Sequence, residues 1–117
     1  MIYKVDLALF SAILQETFKL KFKPVMRTKT SVKFQGDACF GVYSGEGFTN
    51  GKFKHTITIA RDAVKTREAL FATMAHEFAH AWQMENMLEL THAKAEKFDY
   101  WKNYFSYWFN VDIVLMV

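Results

Sequence analysis

The stretch His76-Glu77-Phe78-Ala79-His80 places two histidines four positions apart. In an α-helix, side chains at this spacing stand on one face, one turn above the other. Two imidazoles in that arrangement can bind the same metal ion. The Glu77 side chain points about 100° around the helix from His76, where it need not bind the metal but can take a proton from a water molecule beside it. The stretch therefore predicts a metal centre on a helix.

The residues around this motif predict a helix that is buried on most of its surface. Residues 69–82 are mostly Ala, Leu, Phe, Met and Trp, and the polar exceptions are Thr73, His76, Glu77 and His80. A buried carboxylate without a partner costs several kcal/mol, which a metal ion with its water would offset. The alternative interpretation is a chance pentapeptide whose histidines are hydrogen-bonded core residues. The apolar surroundings of these polar residues favour the metal-binding interpretation over the chance pentapeptide.

Length and composition predict one soluble domain that spans residues 1–117. The chain is 51% hydrophobic and 17% aromatic, which excludes a disordered protein and provides a core without disulfides. Its single cysteine, Cys39, excludes an internal disulfide and a four-cysteine zinc ribbon. Residues 1–10 lack a secretory signal, and no apolar run approaches the length of a membrane span. We therefore expect a cytoplasmic protein without membrane contact.

Positive charge is concentrated in one early segment of a chain whose net charge is +3. Residues 19–33 contain no acidic residue, and their basic side chains are Lys19, Lys21, Lys23, Arg27, Lys29 and Lys33. Such a segment can form a nucleic-acid-binding face. The alternative is a solvated strand and loop whose charges protect a sheet edge.

Hydrophobic periodicity predicts an α+β order of elements before the motif. The predicted elements are, in order, a helix at residues 5–18, a strand at 20–27, a polar bend at 28–30, a short strand at 31–35, a turn at Gly36-Asp37, a strand at 38–43, a glycine-rich loop at 44–51 and a strand at 53–60. Pro24 suits the edge of a sheet. The two strands that flank the glycine-rich loop indicate an antiparallel hairpin.

Two helices are predicted for the rest of the chain. The motif helix spans about residues 65–88, and Thr91 is the N-cap of a second helix at about 92–109. The apolar tail at 111–117 is either a final strand or a surface that packs on a partner chain. The predicted fold is therefore an N-terminal helix, a small, mostly antiparallel sheet of three to four strands, the motif helix and a long C-terminal helix.

A catalytic zinc ion usually has three protein ligands and one open position, so the two histidines of the motif need a third partner. The downstream candidates are His92, Glu89, Glu96 and Asp99. We favour His92, because its distance from the motif leaves room for one helix to end and the chain to return. Glu96, one turn after His92, is either the rival ligand or an acceptor for the His92 ring N–H. His55 lies in a predicted strand and is interpreted as a hydrogen-bonded core histidine.

Several segments, taken in order, resemble a known family, and the resemblance covers nearly the whole chain. These segments are Gly36-Asp37-Ala38-Cys39-Phe40-Gly41, His55-Thr56-Ile57-Thr58-Ile59, His76-Glu77-Phe78-Ala79-His80-Ala81-Trp82-Gln83 and Thr91-His92. Their order resembles the SprT-like zinc metallopeptidases, which have a zincin-like fold. Only the H-E-x-x-H segment is specific by itself. Ala93 follows His92 where family members tend to have glycine, and the zinc ribbon of many members is absent.

The resemblance implies a metalloendopeptidase with one zinc ion per chain. His76, His80 and His92 would bind the zinc, and Glu77 would be the general base. The resemblance also implies protein substrates on or near DNA. A compact chain of this kind is compatible with an origin in a phage or mobile element.

Two further expectations concern the substrate. A tyrosine, Tyr43 or Tyr104, is a candidate donor to the oxyanion that forms when water attacks the scissile carbonyl. The substrate itself could add as a strand along an edge of the hairpin, at residues 38–43 or 52–60.

Three other interpretations remain open. The first is a non-proteolytic zinc-containing protein that uses the same scaffold to bind nucleic acid or a protein partner. The second is an ImmA/IrrE-like metallopeptidase, in which Glu96 is the third ligand. The third is a structural protein without a metal.

Overall fold

Three helices and five strands form the described part of this α+β chain. The structure is a computed structural model, and it describes residues 4–90 and 98–113. In chain order the elements are α1 (Lys4–Phe18), β1 (Val25–Lys29), β2 (Val32–Phe34), β3 (Asp37–Cys39), β4 (Gly41–Gly47), β5 (Phe53–Ala60), α2 (Arg67–Glu85) and α3 (Phe98–Phe109). None of these helices is both long and apolar enough to cross a membrane.

The central strand of the sheet is β5, which pairs with β1 on one side and with β4 on the other. The β4–β5 pairing is antiparallel, with Gly41 opposite Ile59 and Gly47 opposite Phe53, which confirms the predicted hairpin. The β1–β5 pairing is parallel, and β2 and β3 form a separate antiparallel hairpin. Two of the three described strand pairings are antiparallel, as predicted, whereas the parallel β1–β5 pairing was not predicted and makes the three-stranded sheet mixed. A parallel pairing is possible because β2, β3 and β4 lie between β1 and β5 in the sequence, and this long connection lets the chain cross over.

Strand β1 begins later than the predicted strand at 20–27, because the backbone before it has other partners. The Lys21 and Phe22 N–H groups donate to the Glu85 carboxylate, at 2.8 and 3.1 Å. Pro24 has no N–H to offer a neighbouring strand. The sheet pairing therefore starts only at Val25.

The loops are shorter than the sequence predicted. The predicted bend at 28–30 lies mostly inside β1, and half of the predicted glycine-rich loop at 44–51 belongs to β4. The predicted strand at 38–43 is split at Phe40, so that its first part pairs with β2 and its second part with β5. The hairpin between β2 and β3 turns at Gln35-Gly36, with φ of 53° and 87°. Left-handed φ values at both central residues are the geometry that two-residue hairpins favour.

Helix α2 has a defined beginning and end. The Thr66 hydroxyl accepts a hydrogen bond from the Ala69 N–H at 3.0 Å, as an N-cap does. After the helix, Met87 adopts a left-handed φ of 60°, and the Leu88 N–H donates to the Gln83 carbonyl at 2.8 Å. This pattern is the Schellman ending of a helix, and it makes α2 slightly shorter at both ends than predicted.

Helix α3 (Phe98–Phe109) lies within the range of the helix predicted at 92–109 and ends at the predicted residue. The predicted N-cap, Thr91, and residues 92–97 lie outside the described residues. Residues 110–113 follow α3 without strand structure, and residues 114–117 also lie outside the described part. The predicted final strand therefore does not begin where it was expected.

The core lies between the three helices and the inner face of the sheet. Aromatic rings from α1, α2 and α3 meet there, and the Phe18 ring centroid is 4.2 Å from Trp101 and 5.5 Å from Phe105. Ile57 and Ile59 of β5 are fully buried. Burial of such a side chain contributes about 1.5–3 kcal/mol. Every residue at positions 70–81 is buried, so the motif lies in the protein interior.

Candidate metal centre

Helix α2 brings His76, Glu77 and His80 together as one buried group. Their possible ligand atoms all lie within 4.8 Å of one another, and the two imidazole centroids are 5.0 Å apart. The exposed fractions of the three residues are only 2%, 4% and 9%. These three residues are therefore placed together as the motif spacing predicted, and the group could hold a metal ion.

The hydrogen bonds of both histidines favour the form that binds a metal. The His76 Nδ1 lies 2.6 Å from the Ile113 carbonyl oxygen, and the His80 Nδ1 lies 2.8 Å from the Gln83 side-chain oxygen. Both oxygens are acceptors, so each Nδ1 carries the proton and donates it. In the neutral ring the lone pair is then on Nε2, the other nitrogen. Donation of one ring N–H to a carbonyl is the usual arrangement of a metal-binding histidine.

Sequence reasoning missed both of these supporting residues. Gln83 is buried and lies three positions after His80 on α2, so helical spacing could have identified it. Ile113 supports His76 through its backbone carbonyl, which every residue type possesses. No side-chain pattern could therefore have indicated this contact.

Glu77 is a buried carboxyl group that faces the same cleft as the two histidines. Among the residues that the structure describes, its carboxylate has no hydrogen-bond partner. Burial raises the pKa of Glu77 to about 8, because the charged form loses its hydration. A nearby divalent cation would oppose this effect and favour the carboxylate. Glu77 is therefore suited to accept a proton beside a bound cation.

A cleft of about 450 Å³ gives access to this group. Helix α2 forms one wall, and the other wall comes from the β2–β3 hairpin and β4, including Cys39 and Tyr43. Gly41 allows β4 to lie close to α2. A Cβ at this position would be 3.0 Å from both the Thr58 carbonyl oxygen and the Thr73 Cγ2. The cleft is large enough for part of a small ligand or peptide.

The third ligand stays a prediction. His92 and Glu96, the favoured candidate and its rival, lie outside the described residues. Glu89 and Asp99 are described, and neither joins the metal-binding group. The described part of the chain thus supplies two imidazoles and one carboxylate.

The two oxyanion candidates lie in different surroundings. Tyr43 lines the cleft, and its hydroxyl is 2.7 Å from His55 Nδ1. Tyr104 packs in the aromatic cluster of α3, with its ring centroid 5.4 Å from Trp101, and is not among the described residues that line the cleft. His55 is 1% exposed and also contacts Glu85, as expected for a hydrogen-bonded core histidine. The sequence did not indicate Glu85 as its partner.

The predicted substrate edges differ in their availability. Strand β5 is paired on both sides, so the predicted edge at residues 52–60 is wrong. In the described sheet, β4 is paired on one side only, and it forms part of the cleft. The β4 part of the segment predicted at 38–43 is therefore a sheet edge beside the metal-binding group.

The six basic residues predicted as a nucleic-acid face are all exposed. They are Lys19, Lys21, Lys23, Arg27, Lys29 and Lys33. Arg27 and Lys29 lie on the same side of edge strand β1, and Lys19 forms a 3.8 Å ion pair with Glu16. This placement also fits the alternative of charges that protect a sheet edge, so nucleic-acid binding stays a prediction.

No protein-family model, curated protein or solved structure matches this chain.

Proposed function

We propose that this protein is a zinc-dependent metallopeptidase. The observation that carries the proposal is the pair of hydrogen bonds that hold His76 and His80 with Nδ1 protonated and Nε2 as the lone-pair nitrogen. A single core histidine also needs a hydrogen-bond partner. Here two histidines one helical turn apart both have a protonated Nδ1 and lie beside a buried carboxylate, which matches a metal-binding donor set.

His76 and His80 would hold the ion, and His92 would complete the set, with Glu96 as the alternative third ligand. A bound zinc ion would act as a Lewis acid that polarises the scissile carbonyl group of the substrate, and it would lower the pKa of a bound water molecule. Imidazole donors suit zinc, and their number leaves a position for the substrate.

Glu77 would act as the general base. Its carboxylate would accept a proton from the attacking water and return it to the leaving amine. Because Glu77 is buried and lines the cleft, its carboxylate faces the substrate site and is not surrounded by bulk water. The substrate would be an extended peptide that pairs with the open edge of β4.

The resemblance to SprT-like peptidases extends the proposal to DNA-associated proteins as substrates. The exposed basic residues of the segment 19–33 would then lie against the nucleic acid.

Two variants of α2 test the proposal. Protein purified without chelator is expected to contain one equivalent of zinc by elemental analysis, and His80→Ala should lose it. Glu77→Gln should keep the zinc but lose cleavage of a fluorescent casein substrate by about 100-fold or more, because the base is absent. Glu68→Gln, an exposed change on the same helix, is the matched control and should cleave normally.

The outcomes separate the parts of the proposal. A zinc-free wild type would reject the metal centre. Zinc-loaded protein whose cleavage survives in Glu77→Gln would reject Glu77 as the base. Loss of zinc in His92→Ala, with zinc retained in Glu96→Ala, would identify His92 as the third ligand, and the reverse would identify Glu96.

A further inference from the structure

A second buried polar group lies on the sheet side of the cleft. It links Tyr43 of β4, His55 of β5 and Glu85 of α2. The Tyr43 hydroxyl is 2.7 Å from His55 Nδ1, and His55 Nε2 is 2.7 Å from Glu85 Oε2. The exposed side-chain fractions of His55 and Glu85 are 0% and 6%. Of the three residues, Tyr43 alone lines the cleft that the structure describes.

The direction of these hydrogen bonds follows from Glu85. Its two oxygens accept the N–H groups of Lys21 and Phe22, so the carboxylate acts as an acceptor. His55 therefore donates its Nε2–H to Glu85. In a neutral imidazole the other nitrogen then has the lone pair, and it accepts the Tyr43 hydroxyl proton. The pKa of Tyr43 is raised by burial and by the charge of Glu85, which keeps that proton on the phenol.

Gly45 fixes the place of the Tyr43 hydroxyl. A Cβ at Gly45 would overlap that oxygen, so the hydroxyl lies directly over the backbone of its own strand. The Tyr43 ring remains at the cleft, and its centroid is 6.4 Å from that of His80. The Tyr43 ring therefore lines the cleft, while its hydroxyl group donates a hydrogen bond to His55 of the neighbouring strand.

We propose that Glu85 and His55 are positioning residues that hold Tyr43 as a fixed wall of the substrate cleft. Tyr43 contacts a bound peptide through its ring, and its hydroxyl group stays hydrogen-bonded to His55 Nδ1 and takes no part in oxyanion stabilisation. This inference rests on the proposed peptidase function and narrows it, because it assigns substrate positioning to a residue that would otherwise be a candidate oxyanion donor.

The tautomer of His55 tests the hydrogen-bond chain without any substrate. In protein labelled with ¹⁵N, the ring nitrogens of His55 are expected to show a protonated Nε2 and an unprotonated Nδ1 at neutral pH. In Glu85→Ala the Nε2–H signal should shift or exchange rapidly with water, because its acceptor is gone. A protonated Nδ1 in the wild type would overturn the inference, since the Tyr43 hydroxyl proton would then be available to the cleft.

Kinetics on a quenched fluorescent peptide test the role of Tyr43. Removal of an oxyanion donor lowers kcat by about 10²–10³-fold. For Tyr43→Phe we expect kcat within about threefold of the wild type and a higher KM. The reason is that the change weakens binding of the substrate and of the transition state to the same extent. Tyr43→Ala should raise KM further. Tyr107→Phe, an exposed tyrosine change on α3, is the matched control.

The positioning residues are tested by conservative rescue. His55→Gln keeps an N–H donor for Glu85 and an oxygen acceptor for Tyr43, so its KM should be closer to the wild type than that of His55→Leu. Zinc content should be unchanged in all these variants. If the wild type cleaves no peptide, the proposed function fails; if it does cleave and Tyr43→Phe loses about 100-fold or more in kcat, the positioning inference alone fails.

Discussion

The two histidines of the candidate metal centre lie one turn apart on α2, yet the groups that hold them in place come from different parts of the chain. His80 is held by Gln83, three positions further along the same helix. His76 is held by the Ile113 carbonyl, 37 positions away. The first contact needs only the helix, whereas the second needs the segment after α3 to pack on α2. One half of the centre is thus a local property, and the other half depends on the tertiary fold.

The variant Ile113→Ala should have the largest effect on stability, because it breaks the long-range support. The Ile113 side chain is fully buried, so its truncation should lower the free energy of unfolding by about 2–5 kcal/mol. Zinc affinity should fall by about tenfold, since the carbonyl that orients His76 loses its anchor. Urea unfolding and competition with a chromophoric chelator measure the two effects. Unchanged zinc affinity would show that the Ile113 carbonyl does not control His76.

The variant Gln83→Ala removes the local support of His80. Compared with Ile113→Ala, it should lower the free energy of unfolding less and zinc affinity more. The His80 N–H loses its buried acceptor, which lowers the free energy of unfolding by about 1–3 kcal/mol. Zinc affinity should fall by about 10–100-fold, because loss of a ligand's hydrogen-bond partner weakens the ligand directly. The same chelator competition measures it. Gln83→Glu keeps an acceptor and is the control; an equal loss in that variant would contradict the role of the acceptor.

The variant Thr66→Ala should have the smallest effect and should touch neither support. It removes the N-cap hydrogen bond to Ala69, which costs about 1 kcal/mol. Zinc affinity should stay within about twofold of the wild type, because the first turn of α2 lies well before His76. Thermal unfolding and zinc competition check both values. A large loss of zinc affinity here would mean that α2 stability in general, and not the two supports, controls the centre.

The sequence predicted best where a pattern reports on one element at a time. Strand β5 was predicted at its observed bounds, because the alternation at residues 53–60 is strict. The motif spacing placed His76, Glu77 and His80 together, because helix geometry alone decides their neighbourhood. Helix α1 was found by the same kind of reasoning.

The predictions were wrong where distant residues decide the outcome. Alternation shows which face of a strand is buried, but not the direction of its partner, so the parallel pairing of β1 was missed. The late start of β1 depends on Glu85, more than 60 positions away in the chain. Because β1 takes the second side of β5, the predicted substrate edge at residues 52–60 is not available. The third metal ligand stays a prediction.

Cys39 gives the protein a built-in attachment point for a reporter. It is the single cysteine of the chain, and it lies on the wall of the cleft beside the motif. A thiol-reactive dye would therefore label one known position without any mutagenesis. Burial, and secondly the nearby Glu77, raise the pKa of this thiol, so labelling should be slow at neutral pH and faster in mild alkali. Fluorescence from that dye would then follow the arrival of ions or peptides in the cleft in real time.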